Sequence, residues 1–237
     1  MERETLNVAR LGLVDYQPAL ALQEALVRAR HEDRIADTLL LLEHRNVYTL
    51  GRGASEDYLL APRADVPVYR VSRGGEVTYH GPGQLIGYPI LKIMGAARDV
   101  HQYLRMLEQA MIDALEKLKI IASRREGLTG VWVEQRKIAS IGVGLRRWVT
   151  LHGFALNVCP DLSLFRGIVP CGLDGCVMTS VAAEGHAEVT VDSFADLMEE
   201  NFGMLFGYRE VSRIEVESLM EFAKAPSSPP PSVVEHG

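Results

Sequence analysis

Apolar residues return at three- and four-residue intervals along residues 99–117, as Val100, Tyr103, Leu104, Leu107, Met111, Ala114 and Leu115, with Leu118 just beyond. That period predicts an amphipathic helix with Asp99 as its N-cap. A second stripe predicts a helix over 193–205, capped by Asp192 or Ser193. Residues 18–30 read as a helix, although Leu20, Leu22, Ala25 and Leu26 define no clean stripe. The other apolar runs are short and read as strands. Residues 6–14 form the first, and the leucine run 38–43 suits a strand buried on both faces. Residues 46–50 are expected to pair beside it. Residues 66–72 and 77–79 follow, then 130–134, 137–145 and 148–158, with Arg146-Arg147 as a hairpin turn between the last two. Residues 211–222 read as a short strand and a helix. Helices and strands interleave without regular β-α-β alternation. The expected fold class is therefore α/β (α+β), a mixed sheet with flanking helices.

Composition narrows the class. An apolar share of 47% with 24% charged residues is that of a globular chain, and 237 residues bury a core without a metal or disulfide staple. Residues 225–232 hold four of the 11 prolines and read as the start of a disordered tail, 225–237, behind a single domain, 1–224. A formal charge of -6 weighs against nucleic acid as the main partner. No 18-residue apolar run and no apolar stretch behind a basic start occur, so no membrane span or secretory signal is expected, and the cytoplasm is the expected compartment. Cys159, Cys171 and Cys176 lack C-x-x-C spacing, which predicts free thiols and no metal site.

Chemistry-bearing residues gather in glycine-rich segments. The first is Arg73-Gly74-Gly75-Glu76-Val77-Thr78-Tyr79-His80-Gly81-Pro82-Gly83-Gln84. It reads either as a β-hairpin with tight turns or as a wall where the backbone approaches a ligand closely. It is neither a dinucleotide fingerprint nor a phosphate loop. Gly51-Arg52-Gly53 suits a turn ending a strand. In Lys137-Ile138-Ala139-Ser140-Ile141-Gly142, Lys137 is either a solvated strand end or a partly desolvated amine facing a pocket. In Pro170-Cys171-Gly172-Leu173 the thiol sits in a stiff turn, which makes Cys171 the best candidate for an exposed, reactive cysteine. Cys159 and Cys176 read as packed residues. His80 and His152 fall in glycine-bearing segments that could line a site, whereas His31, His44, His101, His186 and His236 read as surface or structural residues. The absence of G-x-S-x-G excludes the α/β-hydrolase elbow.

Taken together, four segments resemble the lipoyl(octanoyl) transferases, the lipoate-biosynthesis protein B family. The 73–84 segment is similar to its signature, 137–142 to its lysine motif, His152-Gly153-Phe154-Ala155-Leu156-Asn157 to the strand that follows, and 170–173 to its cysteine loop. The resemblance spans residues 5–220, in the family's order. It implies a fold like the biotin/lipoate protein ligase catalytic domain and transfer of an octanoyl (or lipoyl) group from acyl carrier protein. The implied acceptors are lysines on lipoyl domains of 2-oxoacid dehydrogenase subunits and on the glycine-cleavage H protein, and no cofactor is implied. The resemblance also implies that Cys171 carries the acyl group as a thioester with Lys137 as its dyad partner. The residues it implies for substrate binding are Arg73, Gly74, Gly75, Glu76, Val77, Thr78, Tyr79 and His80, then Ser140, Ile141 and Gly142, and then Gly153, Phe154 and Ala155. Two other functions fit the same residues less well: an ATP-dependent lipoate or biotin ligase, which needs no cysteine, and a silent acyl- or lipoyl-domain-binding module. An acidic carrier protein would dock on a basic face, for which Arg124, Arg125, Arg136, Arg146 and Arg147 are the candidates.

Overall fold

The expected leucine-run strand forms as β2 (Asp37–His44), and its side chains show why the run is continuous. Leu39 and Leu41 enter one core, while Leu40 and Leu42 enter another on the opposite face. A strand covered on both faces has no polar side to present. This computed structural model describes residues 3–94 and 99–224. The Pro/Ser-rich tail, 225–237, lies outside the described residues.

Beside β2 lie β1 (Arg3–Val14) and, beyond it, β12 (Tyr208–Arg213), all three parallel. On the other side of β2 the sheet turns antiparallel. It runs through β6 (Gln84–Ile90), β10 (Val149–Asn157), β9 (Arg136–Arg146), β8 (Leu128–Val133) and β7 (Ser123–Arg125). Helices α2 (Val100–Lys117) and α3 (Val191–Leu205) cover one face through Leu107, Met111, Leu115, Phe194, Met198 and Phe202. Helix α1 (Tyr16–His31) and Leu219 of α4 (Val216–Lys224) cover the other. The sheet is mixed, as expected.

The helix starts follow local chemistry. The Asp99 carboxylate accepts from the backbone N–H of His101 and of Gln102, the cap read from the sequence. For α3 the cap is Thr190, not Asp192 or Ser193. Thr190 Oγ1 accepts from Ser193 N, and Ser193 Oγ accepts in return from Thr190 N. A serine thus fills the place that glutamate or glutamine takes in the usual capping box.

Two expectations about the sheet are corrected. First, β3 (Val47–Leu50) does not pair with β2. It is the middle strand of a separate sheet, between β4 (Val68–Arg70) and β5 (Val77–His80). Second, the 73–84 segment is not a hairpin. It supplies β5 to the small sheet and, after the Gly81–Gly83 turn, β6 to the large one, so it joins the two sheets. Strand β6 itself was not expected, because Gly87 and Pro89 interrupt its pattern. Both fit the observed packing. A Cβ on Gly87 would lie 2.1 Å from the Phe154 ring. Pairing with β10 ends at Gly87, so at Pro89 the strand pairs with β2 alone and can spare an N–H.

The β9–β10 turn is Arg147-Trp148, one residue later than expected. Both residues have positive φ, 51° and 64°, as a two-residue hairpin of this twist requires. No Asn-Gly pair marks the turn, so nothing local signals that shift. Cys159 is exposed, against the packed reading, because it lies past the end of β10 in a turn where its N–H donates to Gly83 O. Cys176 is half-buried. Among the described residues, no helix is long and apolar enough to cross a membrane.

Candidate active site

Lys137 stands near the start of β9, where a strand end would ordinarily put it in water. Two neighbours prevent this. Strand β8 pairs on one side, and the short strand β11 (Val177–Met178) pairs on the other, with Met178 opposite Lys137. The side chain is 1% exposed. Its stem crosses Gly130, where an added Cβ would come 2.7 Å from Lys137 Cε and 2.6 Å from Ala139 O. Gly130 also holds φ at 129°, a value favouring glycine. Its N–H donates to the fully buried Glu108 carboxylate, which Arg105 and Arg124 also engage. A buried, triply bonded carboxylate therefore fixes the backbone on which the lysine stem rests.

Lys137 Nζ donates to Thr129 O at 3.1 Å and lies 2.9 Å from Cys171 Sγ. It lies 5.3 Å from the centroid of the Trp132 ring. Cys171 comes from the single 3₁₀ turn Pro170–Gly172, and its own backbone is left-handed, φ 58° and ψ 18°. That conformation costs an L-residue about 1–2 kcal/mol. Ser140 Oγ lies 3.8 Å from the same sulfur. Residues 34 apart in sequence thus meet only because the turn docks against β5 and β9.

The dyad opens onto a cavity of about 180 Å³ between the two sheets. Apolar cavities of about 150 Å³ take up benzene, so this one has room for a short hydrocarbon. Its walls include Arg73, Gly75, Glu76, Val77, Thr78 and His80, then Ser140, Ile141 and Gly142, and then Gly153, Phe154 and Ala155. Two of the residues read as binding do not line it. Tyr79 points to the far side of β5, where its hydroxyl donates to Asn46 Oδ1 and its ring packs on Phe165. Strand alternation sends it there. Gly74 stands behind Arg73, its N–H donating to Val143 O. Tyr16, Tyr88, Gly127, Leu128, Thr129 and Leu173 also line the cavity without having been expected there, and so does His152, a possible site residue from its glycine-bearing segment. Nothing local marks Tyr16 or Tyr88, which arrive from α1 and β6 through the fold.

Arg73 is buried and donates only to neutral acceptors, Thr49 O, Thr49 Oγ1 and Gly74 O. Among the described residues neither Arg73 nor Lys137 forms an ion pair, and the Glu76 carboxylate on the same wall acts on Arg73 through space. Burial is the first cause that holds His80 far below the usual imidazole range, with His44 and Arg73 adding to it. His152 is lowered to about 4 by burial and then by Arg73. His44 is lowered to about 4, chiefly by burial. A carbonyl can only accept, so His44 Nδ1 donates to Val14 O and its Nε2 accepts from Tyr88 Oη. The two histidines that line the cavity, His80 and His152, are thus uncharged imidazoles at neutral pH.

These histidines set an acid limit on stability. Between an unfolded value near 6.5 and the folded value of about 4, the unfolded chain binds protons that the native state does not. Stability is therefore complete above about pH 6.5 and falls as pH drops, by about 1.4 kcal/mol per unit for each histidine. Urea midpoints measured at pH 7 and pH 5 check this. A His44→Gln, His152→Gln double variant should flatten the profile, and an unchanged slope would contradict the assignment.

The arginines considered for a basic face are largely committed elsewhere. Arg124 pairs with Glu108, Arg136 with Glu134 and Glu184, and Arg146 with Glu24, while Arg125 stacks on Trp132. Among the described residues no group of His, Cys, Asp and Glu is placed to hold a metal ion.

Comparison with known proteins bears on this geometry. The family model described as the lipoyl protein ligase A/B catalytic domain matches residues 15–203. An octanoyltransferase of Solibacter usitatus is 51% identical over 204 residues, covering 84% of this chain and 92% of the relative. An octanoyltransferase of Geotalea uraniireducens is 49% identical over 179 residues, covering 76% and 83%. Among solved structures, a lipoate-protein ligase A bound with ATP superposes with a TM-score of 0.74 at 17% identity, over 94% of this chain and 93% of that one. At that identity the likeness is one of fold.

Proposed function

The chain belongs to the family of the lipoyl protein ligase A/B catalytic domain, and from that premise we propose how its dyad works. The activity is octanoyl transfer in lipoate biosynthesis, and the enzyme is an acyltransferase. In our reading the donor is octanoyl-acyl carrier protein. The acceptor is a lysine on the lipoyl domain of a 2-oxoacid dehydrogenase subunit or on the glycine-cleavage H protein. The observation that carries the route is the 2.9 Å contact between Lys137 Nζ and Cys171 Sγ at the cavity.

The steps are these. Cys171 gives its proton to Lys137, and the resulting ammonium holds the thiolate, which is the attacking form of cysteine. The thiolate attacks the donor's thioester carbonyl, and the carrier thiol leaves with a proton from Lys137. The octanoyl group is then a thioester on Cys171, with its chain in the cavity. The acceptor amine attacks that carbonyl, an amide forms, and Cys171 leaves as thiolate. Lys137 relays the proton lost by the acceptor nitrogen back to sulfur. Exchanging one thioester for another is nearly balanced in energy, and amide formation draws the sequence forward. No adenylate is needed.

Intact-protein mass spectrometry tests this route. Enzyme incubated with octanoyl-acyl carrier protein, without ATP or acceptor, should gain one hydroxylamine-sensitive octanoyl group mapping to Cys171. Modification of the acceptor only when ATP and free octanoate are supplied would show a ligase instead.

Chain length gives a further expectation. Each buried methylene is worth about 0.8 kcal/mol, or roughly fourfold in affinity. A hexanoyl donor should therefore lose about fifteenfold in kcat/KM against octanoyl. Equal kcat/KM for the two would mean that the chain does not lie in the cavity.

A further inference from the structure

The described wall of the cavity holds a single carboxylate, Glu76, beside Arg73 and Lys137. Glu76 stands just before β5, and strand alternation sends it to the same face as Thr78 and His80. Arg73 is 7% exposed and Lys137 1%, whereas Glu76 is half-exposed. Among the described residues its carboxylate accepts one hydrogen bond, from Ser55 N–H at 3.3 Å, and forms no ion pair. A carboxylate offers about four acceptor sites, so most of its capacity is open.

The side chain also lies beside the nucleophile's turn. A Cβ on Gly172, the residue after Cys171, would come 3.0 Å from Glu76 Cγ and 3.0 Å from the Tyr58 ring. Both ends of Glu76 are tied to the loop that holds Ser55, since Gly51 N–H donates to Glu76 O. An octanoyl chain gains nothing from a carboxylate, and covering an unpaired charge with hydrocarbon is costly. The acceptor has the opposite need. A lysine with its ordinary pKa of about 10.4 arrives at neutral pH as an ammonium. One proton must pass to water before the nitrogen can attack. The nitrogen then becomes positive again as its bond to the thioester carbon forms, until Lys137 relays the next proton to sulfur. A fixed anion favours the nitrogen in both charged forms.

We propose that Glu76 receives the ammonium of the acceptor lysine and holds its nitrogen at the thioester on Cys171. The inference rests on the transfer route proposed above. A hydrogen bond from an ammonium to a carboxylate is about twice as strong as one between neutral groups. It asks only for a charged amine on a flexible stem, so it serves lysines of different acceptor proteins alike. Arg73 and a protonated Lys137 would repel such an amine, and Glu76 is the group on this wall that offsets them.

Two nucleophiles of different charge test it. Wild-type and Glu76→Gln enzymes are loaded from octanoyl-acyl carrier protein and freed of it. Loss of the Cys171 adduct is then followed by intact-protein mass spectrometry. N-acetyl-lysine amide meets the adduct from an ammonium, and hydroxylamine meets it as a neutral molecule. Glutamine keeps the size of the side chain and still accepts from Ser55 N–H, so the comparison reads charge. The ratio of the lysine-amide rate to the hydroxylamine rate should fall about tenfold in the variant, and transfer to an apo lipoyl domain should fall with it. Taking the ratio within each loaded enzyme removes any effect of the substitution on loading. An unchanged ratio, or a loss seen with the lipoyl domain alone, would overturn the proposal and leave the transfer route standing. A wild-type enzyme that forms no Cys171 adduct would overturn the route and the proposal together.

Discussion

A Cys171→Ala enzyme should form no octanoyl adduct and lose octanoyl transfer on the order of 10³-fold or more. The reasoning turns on what the substitution leaves intact. Lys137 keeps its bond to Thr129 O, the cavity keeps its walls, and alanine fits the turn about as well as cysteine does. If the acceptor lysine attacked the carrier-protein thioester directly, those features would suffice, and the variant would stay active. Covalent relay gives the opposite result, because both half-reactions pass through the missing sulfur. Initial rates of acceptor octanoylation, with an unchanged melting temperature as the fold control, separate the two. A variant retaining a tenth of the wild-type rate would exclude the thioester intermediate.

Replacing Lys137 by methionine should lower the rate by about 10²–10⁴-fold at neutral pH, the usual range for a lost proton-transfer group. Methionine fills the same buried space, so the loss reports chemistry more than packing. Lys137→Arg should not rescue it. A guanidinium supplies charge but never releases its proton, and its planar fork does not fit the space over Gly130. If charge alone mattered, arginine would recover part of the loading step. Raising the pH should restore some loading in the methionine variant, because hydroxide then ionises the thiol, while amide formation stays slow. A wild-type rate for Lys137→Met at pH 7 would remove the lysine from the mechanism.

What the sequence disclosed depended on whether the signal was local. Helix α2 and its Asp99 cap follow from spacing within one segment, and the structure places both as expected. The leucine run of β2 was readable because burial on both faces leaves a continuous stretch. Its separation from β3 was not, since nothing in two adjacent buried runs says which sheet each joins. Strand β6 was hidden because Gly87 answers to the Phe154 ring, a contact formed only on folding. At the site, the glycine-rich segments pointed to most of the cavity wall through their resemblance to a family. Tyr79 was included because a motif is linear, whereas a strand sends alternate side chains to opposite faces. Tyr16 and Tyr88 were missed for the converse reason. The distance between Lys137 and Cys171 is a property of the fold, and no spacing rule could supply it.

The left-handed backbone of Cys171 also bears on how the enzyme can change over generations. Glycine would occupy that position without steric cost, and asparagine with little. Selection for folding alone therefore pushes this codon away from cysteine, by an advantage of about 1–2 kcal/mol. On the proposed route, continued demand for acyl transfer is what holds it in place. A lineage, or a laboratory library, screened for heat resistance with its lipoate supplied from outside would be expected to lose this proposed nucleophile early. It would emerge more stable and catalytically silent, with the cavity around the vacated turn still intact.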